Sequence, residues 1–107
     1  MRRNKHGIFL FKYTVKPGKR AEFIAALAKL GVGANSRREE GNRKYEYIVP
    51  TVEKDTLILH EIWETLDFQK AHCQTEVFKE LIALKAEFVD DTAITVTEID
   101  DASALND

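Results

Sequence analysis

Residues 57–78 read LILHEIWETLDFQKAHCQTEVF, and two periodicities meet inside them. Up to Glu64 the period is two. Leu57, Leu59, Glu61 and Trp63 fall on one side of a strand, and Ile58, His60, Ile62 and Glu64 on the other. Beyond Thr65 the spacing turns helical, with Asp67 expected as the cap and Phe68, Ala71 and His72 on the inner side. The corner thus gathers a strand carboxylate, the single Trp, a helical His and the single Cys. Glu61 and His72 share faces with apolar residues, where an unpaired polar group costs free energy. Such groups are either paired internally or line a pocket.

Upstream, Tyr45, Tyr47 and Val49 alternate with Glu46 and Ile48, which predicts a strand over 45–49. Pro50 puts this end of the strand near a sheet edge or beyond the ladder, and 50–55 reads as a loop or hairpin connection. Residues 19–38 predict one long amphipathic helix, with a kink or a close packing contact at Gly31 and Gly33 and with Phe23, Ile24, Leu27, Leu30 and Ala34 inward. The glycines of GVGANS suggest a phosphate loop, but the strand before it and the helix after it are missing from the pattern. Arg37-Arg38-Glu39-Glu40 reads as a solvated helix end, stopped by Gly41. Residues 7–15 (GIFLFKYTV) predict a strand buried on both sides over its first half, closed by Pro17-Gly18.

Downstream, a break near 73–75 precedes a helix over 75–88, whose inner positions are Val77, Phe78, Leu81, Ile82, Leu84, Lys85 and Phe88. Residues 92–99 predict the last strand. The order β-α-β-β-α-β is that of an α+β, ferredoxin-like fold: an antiparallel sheet with helices on one face. Ile8, Leu10, Ile48, Ile58, Ile62, Ile94 and Val96 are expected on the other face, with nothing in the chain to cover them. A bare apolar face predicts a homodimer through the sheet.

The 107 residues suit one domain, with a core over 7–99 and solvated tails at 1–6 and 100–107. A formal net charge of -2 implies no general attraction to nucleic acid. One Cys excludes an internal disulfide and suits a reducing compartment. No apolar run approaches a membrane span, and no signal-peptide core follows the basic start, so a cytoplasmic protein is expected. His6, His60, His72 and Cys73 lack metal-ligand spacing, so no metal is expected. Cys73 points about 100° away from His72 around a helix, which favours a structural thiol over a nucleophile.

Three pieces together carry a family resemblance: VKPGK at 15–19, SRREEGNRKYEY at 36–47, and LHEIWETLDFQKAHCQTEVF at 59–78. The combination G-N-x-x-Y-E with E-x-W, A-H and F resembles the antibiotic biosynthesis monooxygenases, which include the quinol monooxygenases. The resemblance implies a dimeric α+β barrel with a pocket between sheet and helices in each subunit. It also implies cofactor-independent oxygenation of phenols and quinols, with isomerising, carbonyl-degrading and haem-degrading relatives. Trp63 matches the family's strand Trp, His72 its helix His, Tyr45 its second-strand aromatic, Glu61 the carboxylate before the Trp, and Phe78 its helix Phe. Haem breakdown is disfavoured: Ile82 stands where the axial His belongs, and the first strand offers Phe9, Phe11 and Tyr13 in place of an Asn.

On this reading His72 and Glu61 are the catalytic candidates. His72 is either a base toward an acidic phenol or carbon, or a core histidine bonded to Glu61, Glu64 or a backbone carbonyl. Glu61 either orients His72, takes the proton itself, or ion-pairs with Arg43 or Lys44. Trp63 either stacks on a planar substrate or packs the core. Tyr13, Tyr45 and Tyr47 bring hydroxyls to an apolar space, as a phenolic ligand requires, or merely reach the rim. The leading expectation is a monooxygenase using molecular oxygen and no cofactor on a small aromatic or oxygenated molecule. The alternatives are a cofactor-free isomerase or lyase on a carbonyl or phosphorylated metabolite, and a non-catalytic dimeric ligand-binding or stress-response module.

Overall fold

A computed structural model describes residues 5–100, as eight elements. In chain order these are β1 (His6–Val15), α1 (Arg20–Leu30), α2 (Val32–Arg38), β2 (Asn42–Ile48), β3 (Thr56–Trp63), α3 (Leu66–His72), α4 (Glu76–Phe88) and β4 (Val89–Ile99). The strands form one sheet in the order β2-β3-β1-β4 with antiparallel pairings throughout. This is the ferredoxin-like α+β arrangement expected from the alternating periods, and β2, which Pro50 follows, lies at an edge. The tails expected at 1–6 and 100–107 lie outside the described residues, except Lys5, His6 and Asp100. His6 does not belong to a tail: it is buried and opens β1 opposite Ile99.

Two helical expectations are corrected. The single helix over 19–38 is two, because Gly31 adopts φ 75° and closes α1, its N–H donating to the carbonyls of Ala28 and Leu27. A side chain at that φ is strained, so the break sits where the chain has glycine. Val32, just past it, is fully buried, and GVGANS is this elbow followed by helix rather than a phosphate loop. Asp67 is not a cap: Thr65 holds that position, and Asp67 lies in the first turn of α3. The break near 73–75 is present, and Thr75 caps α4 by accepting from the Phe78 N–H at 3.2 Å.

Register fixes the two faces of the sheet. Tyr45, Glu61, Phe9 and Val96 lie side by side across all four strands, and Tyr47, Leu59, Phe11 and Ile94 form the next row. Directly opposed residues point the same way, so Ile94 and Val96 belong to the helix-side face with Phe9 and Phe11. The expectation that placed them on the outer face is wrong. They are nonetheless 56% and 51% exposed, because β4 is an edge strand that the helices do not cover. The outer face keeps Ile8, Leu10, Ile48 and Ile58, with Leu10 42% and Ile48 39% exposed, while Ile62 is already buried. Along the first half of β1 this face runs from buried His6 through half-buried Ile8 to exposed Leu10.

The core lies between sheet and helices. Tyr13, Val15, Phe23, Leu27, Val32, Tyr45, Leu57, Leu59, Trp63 and Leu81 are buried there, whereas Ile82, expected inward, is 47% exposed. Each fully buried large apolar side chain contributes about 1.5–3 kcal/mol relative to exposure. Tyr13 meets Phe23 edge-on at 6.1 Å, and Phe23 stacks on Phe88 at 5.5 Å, which ties β1, α1 and α4 together.

Candidate functional site

The corner after β3 places its polar groups in the core. Gly41, at φ 82°, turns the chain into β2, and its carbonyl accepts from the Glu64 N–H at 2.8 Å. This joins the end of β3 to the turn that follows α2. One residue before Glu40, Glu39 extends out of the helix and reaches α3: Glu39 Oε1 lies 2.9 Å from Nδ1 of His72. His72 is 1% exposed. Its ring packs 5.0 Å from Trp63, 5.6 Å from Tyr45 and 5.3 Å from Phe78, centroid to centroid.

A carboxylate can only accept, so the neutral imidazole carries its proton on Nδ1 and a lone pair on Nε2. That Nε2 is buried and has no partner. A buried acceptor without a donor costs roughly 1–3 kcal/mol, which is a reason to ask what it serves.

Glu61, 2% exposed, is not the group that orients His72, nor does it pair with Lys44, which sits beside Ile62 in the register. Its Oε1 accepts from Trp63 Nε1 at 2.8 Å. Burial pushes the Glu61 carboxyl up to about 7, against the Trp63 hydrogen bond and the Lys85 charge, while Glu39 adds to the rise. Glu61 can therefore hold or release a proton near neutrality. Trp63 is wholly buried, so its ring is core and its N–H serves the carboxyl.

The three tyrosines share this interior. Burial raises all three phenols well above their ordinary range, so they are neutral hydroxyls. Tyr45 and Tyr47 meet edge-on at 5.8 Å, and their hydroxyls perturb one another, yet neither completes a hydrogen bond. Phe9, Phe11 and Tyr13 form a stacked row along β1, with centroids 6.3 and 6.0 Å apart. Lys85 of α4 lies over this row, 5.0 Å from the Tyr13 ring and 5.9 Å from Phe11.

Of the residues singled out in the sequence, His72, Trp63, Tyr45 and Phe78 come together directly, and Glu61 joins them through Trp63. Tyr47 extends the group through Tyr45, while Tyr13 sits along β1 beneath Lys85. Glu39, read as part of a solvated helix end, is the residue sequence reasoning missed; Gly41, which turns the chain back toward β3, was the available signal. Arg37 of the same run is also engaged, donating from Nη1 to the Tyr45 carbonyl at 2.8 Å. Cys73 is half-buried, its sulfur accepting from Gln69 Nε2 at 3.3 Å, and burial followed by the Glu61 charge raises its thiol. His60 faces outward beside Leu10 and Glu46 in the register. Among the described residues no group of three or more His, Cys, Asp or Glu side chains could hold a metal ion, and no helix is long and apolar enough to cross a membrane.

Comparison with known proteins agrees with this architecture. Residues 8–84 match the family model described as antibiotic biosynthesis monooxygenase. Over 69 residues the chain is 35% identical to "Putative monooxygenase YcnE" of Bacillus subtilis (strain 168), covering 64% of this chain and 70% of that protein. Among solved structures, protein SO0527 from Shewanella oneidensis superposes with a TM-score of 0.80 at 22% identity, covering 92% of this chain and 93% of that one. A conserved protein from Methanosarcina mazei Go1 does so with a TM-score of 0.77 at 26% identity, covering 86% and 90%. With the family model spanning most of the sheet and its helices, the chain belongs to the antibiotic biosynthesis monooxygenase family.

Proposed function

We propose that the protein is a cofactor-independent monooxygenase acting on a quinol or a similar small oxygenated aromatic molecule, with His72 as its base. The observation that carries this reading is His72 itself: Nδ1 on a carboxylate, Nε2 buried without a partner, and aromatic rings around it. Nε2 takes a proton from the substrate, and Glu39 stabilises the imidazolium that forms. The resulting electron-rich anion transfers an electron to oxygen, and recombination forms a carbon–oxygen bond. At a ring C–H beside the phenolate oxygen, protonation and loss of water from that peroxide leave a carbonyl; the quinol and O2 become a hydroxyquinone and H2O. The neutral Tyr45 and Tyr47 hydroxyls are available to substrate oxygens, and the aromatic walls keep water from the anion. The monooxygenase name of the Bacillus subtilis relative supports the reaction class.

Oxygen uptake with freshly reduced quinols tests this. The expected result is uptake above autoxidation in the wild type that His72→Ala abolishes; no excess uptake with any quinol overturns the reading. Glu61 favours a second reading, a cofactor-free isomerase, because its pKa of about 7 supplies a second group able to exchange a proton near neutrality. An isomerase turns over equally well under argon.

The exposed outer face, with Leu10 at the centre of the sheet, supports a homodimer formed through it. Light scattering should give twice the chain mass for the wild type and the chain mass for Leu10→Glu. A monomeric wild type removes the proposal.

A further inference from the structure

We propose that Lys85 is the anion-holding group of this site, and that its ligand is a planar aromatic molecule bearing an acidic oxygen, such as a carboxylate. This deepens the proposed reading and rests on it for the place of the reacting groups, but does not require that the ligand react with oxygen.

Lys85 is half-buried, and its ammonium lies against the faces of Tyr13 and Phe11. Ring faces attract a cation, but they do not satisfy its three N–H donors. Lys85 enters none of the ion pairs among the described residues. Asp90 and Asp91 share a groove of about 340 Å³ with it at the α4–β4 junction, yet neither closes on the ammonium. Burial lowers the Lys85 pKa, and the nearby Glu61 and Cys73 oppose that shift. An ammonium in this position is stabilised by an anion brought to it.

The surface beside Lys85 fits the rest of such a ligand. The Phe9 and Phe11 rings stack nearly parallel, with 13° between their planes; Phe9 is buried and Phe11 half-buried, so Phe11 is the ring of this pair open to a ligand. Ile94 and Val96 continue the same face toward the open edge at β4, opposite Phe11 and Phe9 in the register. Together they make an apolar shelf with a cation at one side. At its inner end Glu61 stands beside Phe9, followed by Trp63 and His72. A ring lying on the shelf with its acidic oxygen at Lys85 Nζ directs its far end toward Glu61.

Titration calorimetry with a naphthalene carboxylate and the matching carboxamide tests the assignment. The wild type should bind the carboxylate about tenfold tighter or better. Lys85→Met, which keeps the apolar stem, should bind both alike, and Lys85→Arg should keep the preference. Equal affinities in the wild type, a preference that survives Lys85→Met, or no binding of the carboxylate at millimolar concentration overturns the proposal. Quinol oxygen uptake measured separately keeps the two claims apart, since a carboxylate preference without oxygen uptake retains the anion site and removes the monooxygenase.

Discussion

Glu39 and His72, 33 residues apart in sequence, are joined by a 2.9 Å contact between Oε1 and Nδ1. The contact exists because α2 stops at Arg38 and Gly41 reverses the chain against the end of β3. It holds one ring nitrogen and leaves the other facing the aromatic interior. If the pair works as a unit, its two residues should not contribute additively. His72→Ala should lower kcat by about a hundredfold or more. Glu39→Ala should lower it by about tenfold or more, and the double variant should be no slower than His72→Ala alone. Oxygen-uptake kinetics on the three variants check this; an additive double variant separates Glu39 from the chemistry.

Glu61 makes stability depend on pH in a defined direction. Its carboxyl titrates at about 7 in the fold against an ordinary 4.5, so between those values the folded state binds more protons than the unfolded state. Its contribution is fully present below about 4.5, falls as pH rises through about 7, and is flat beyond. The difference corresponds to about 3 kcal/mol. Glu61→Gln keeps an oxygen for Trp63 and cannot ionise. It should match the wild type near pH 4 and exceed it in urea midpoint at pH 8. Parallel stability curves for the two proteins across this range would contradict the assignment.

The parts of the site that were legible in the sequence are those governed by local period. Alternation put Glu61 and Trp63 on the inner face of β3 and Tyr45 and Tyr47 on that of β2, and the break before α4 was visible near 73–75, though not that Thr75 caps the helix. What could not be read depended on where separate elements stop and how they slide. Glu39 lies in a run of four charged residues that looks solvated from within. Only the Gly31 elbow and the Gly41 turn, acting together, bring it to His72. Ile94 and Val96 obey a clean alternation, but alternation does not say which parity faces inward. Register with β1 decides that, and the β1–β4 pairing shifts between Thr14 and Val15 of β1, a change that the sequence does not announce.

Gly41 is the hinge of this arrangement, and a methyl group there meets two obstacles. Its φ of 82° is unfavourable for any side chain, and an added Cβ would run into the Phe68 ring of α3. Gly41→Ala should cost about 3 kcal/mol or more from backbone strain and overpacking together. In a domain of this size that lowers Tm by about 10 °C or more. Calorimetry checks the shift. An unchanged Tm would mean that the turn is not held as described.

Tyr45 separates groups kept for the fold from groups kept for a ligand. Its ring packs against Tyr47 and His72, while its buried hydroxyl, coupled to that of Tyr47, reaches no partner in full hydrogen-bond geometry. A hydroxyl that served the fold would be missed when removed; one left unbonded in the core already costs the fold its desolvation. Tyr45→Phe should therefore leave stability unchanged or raise it by about 1 kcal/mol. If the hydroxyl meets a substrate oxygen, the same variant should raise KM by about threefold to tenfold. Thermal unfolding and quinol-dependent oxygen uptake on one preparation test both halves. A large loss of stability would show that the hydroxyl has a structural partner, whereas an unchanged KM would remove it from substrate binding.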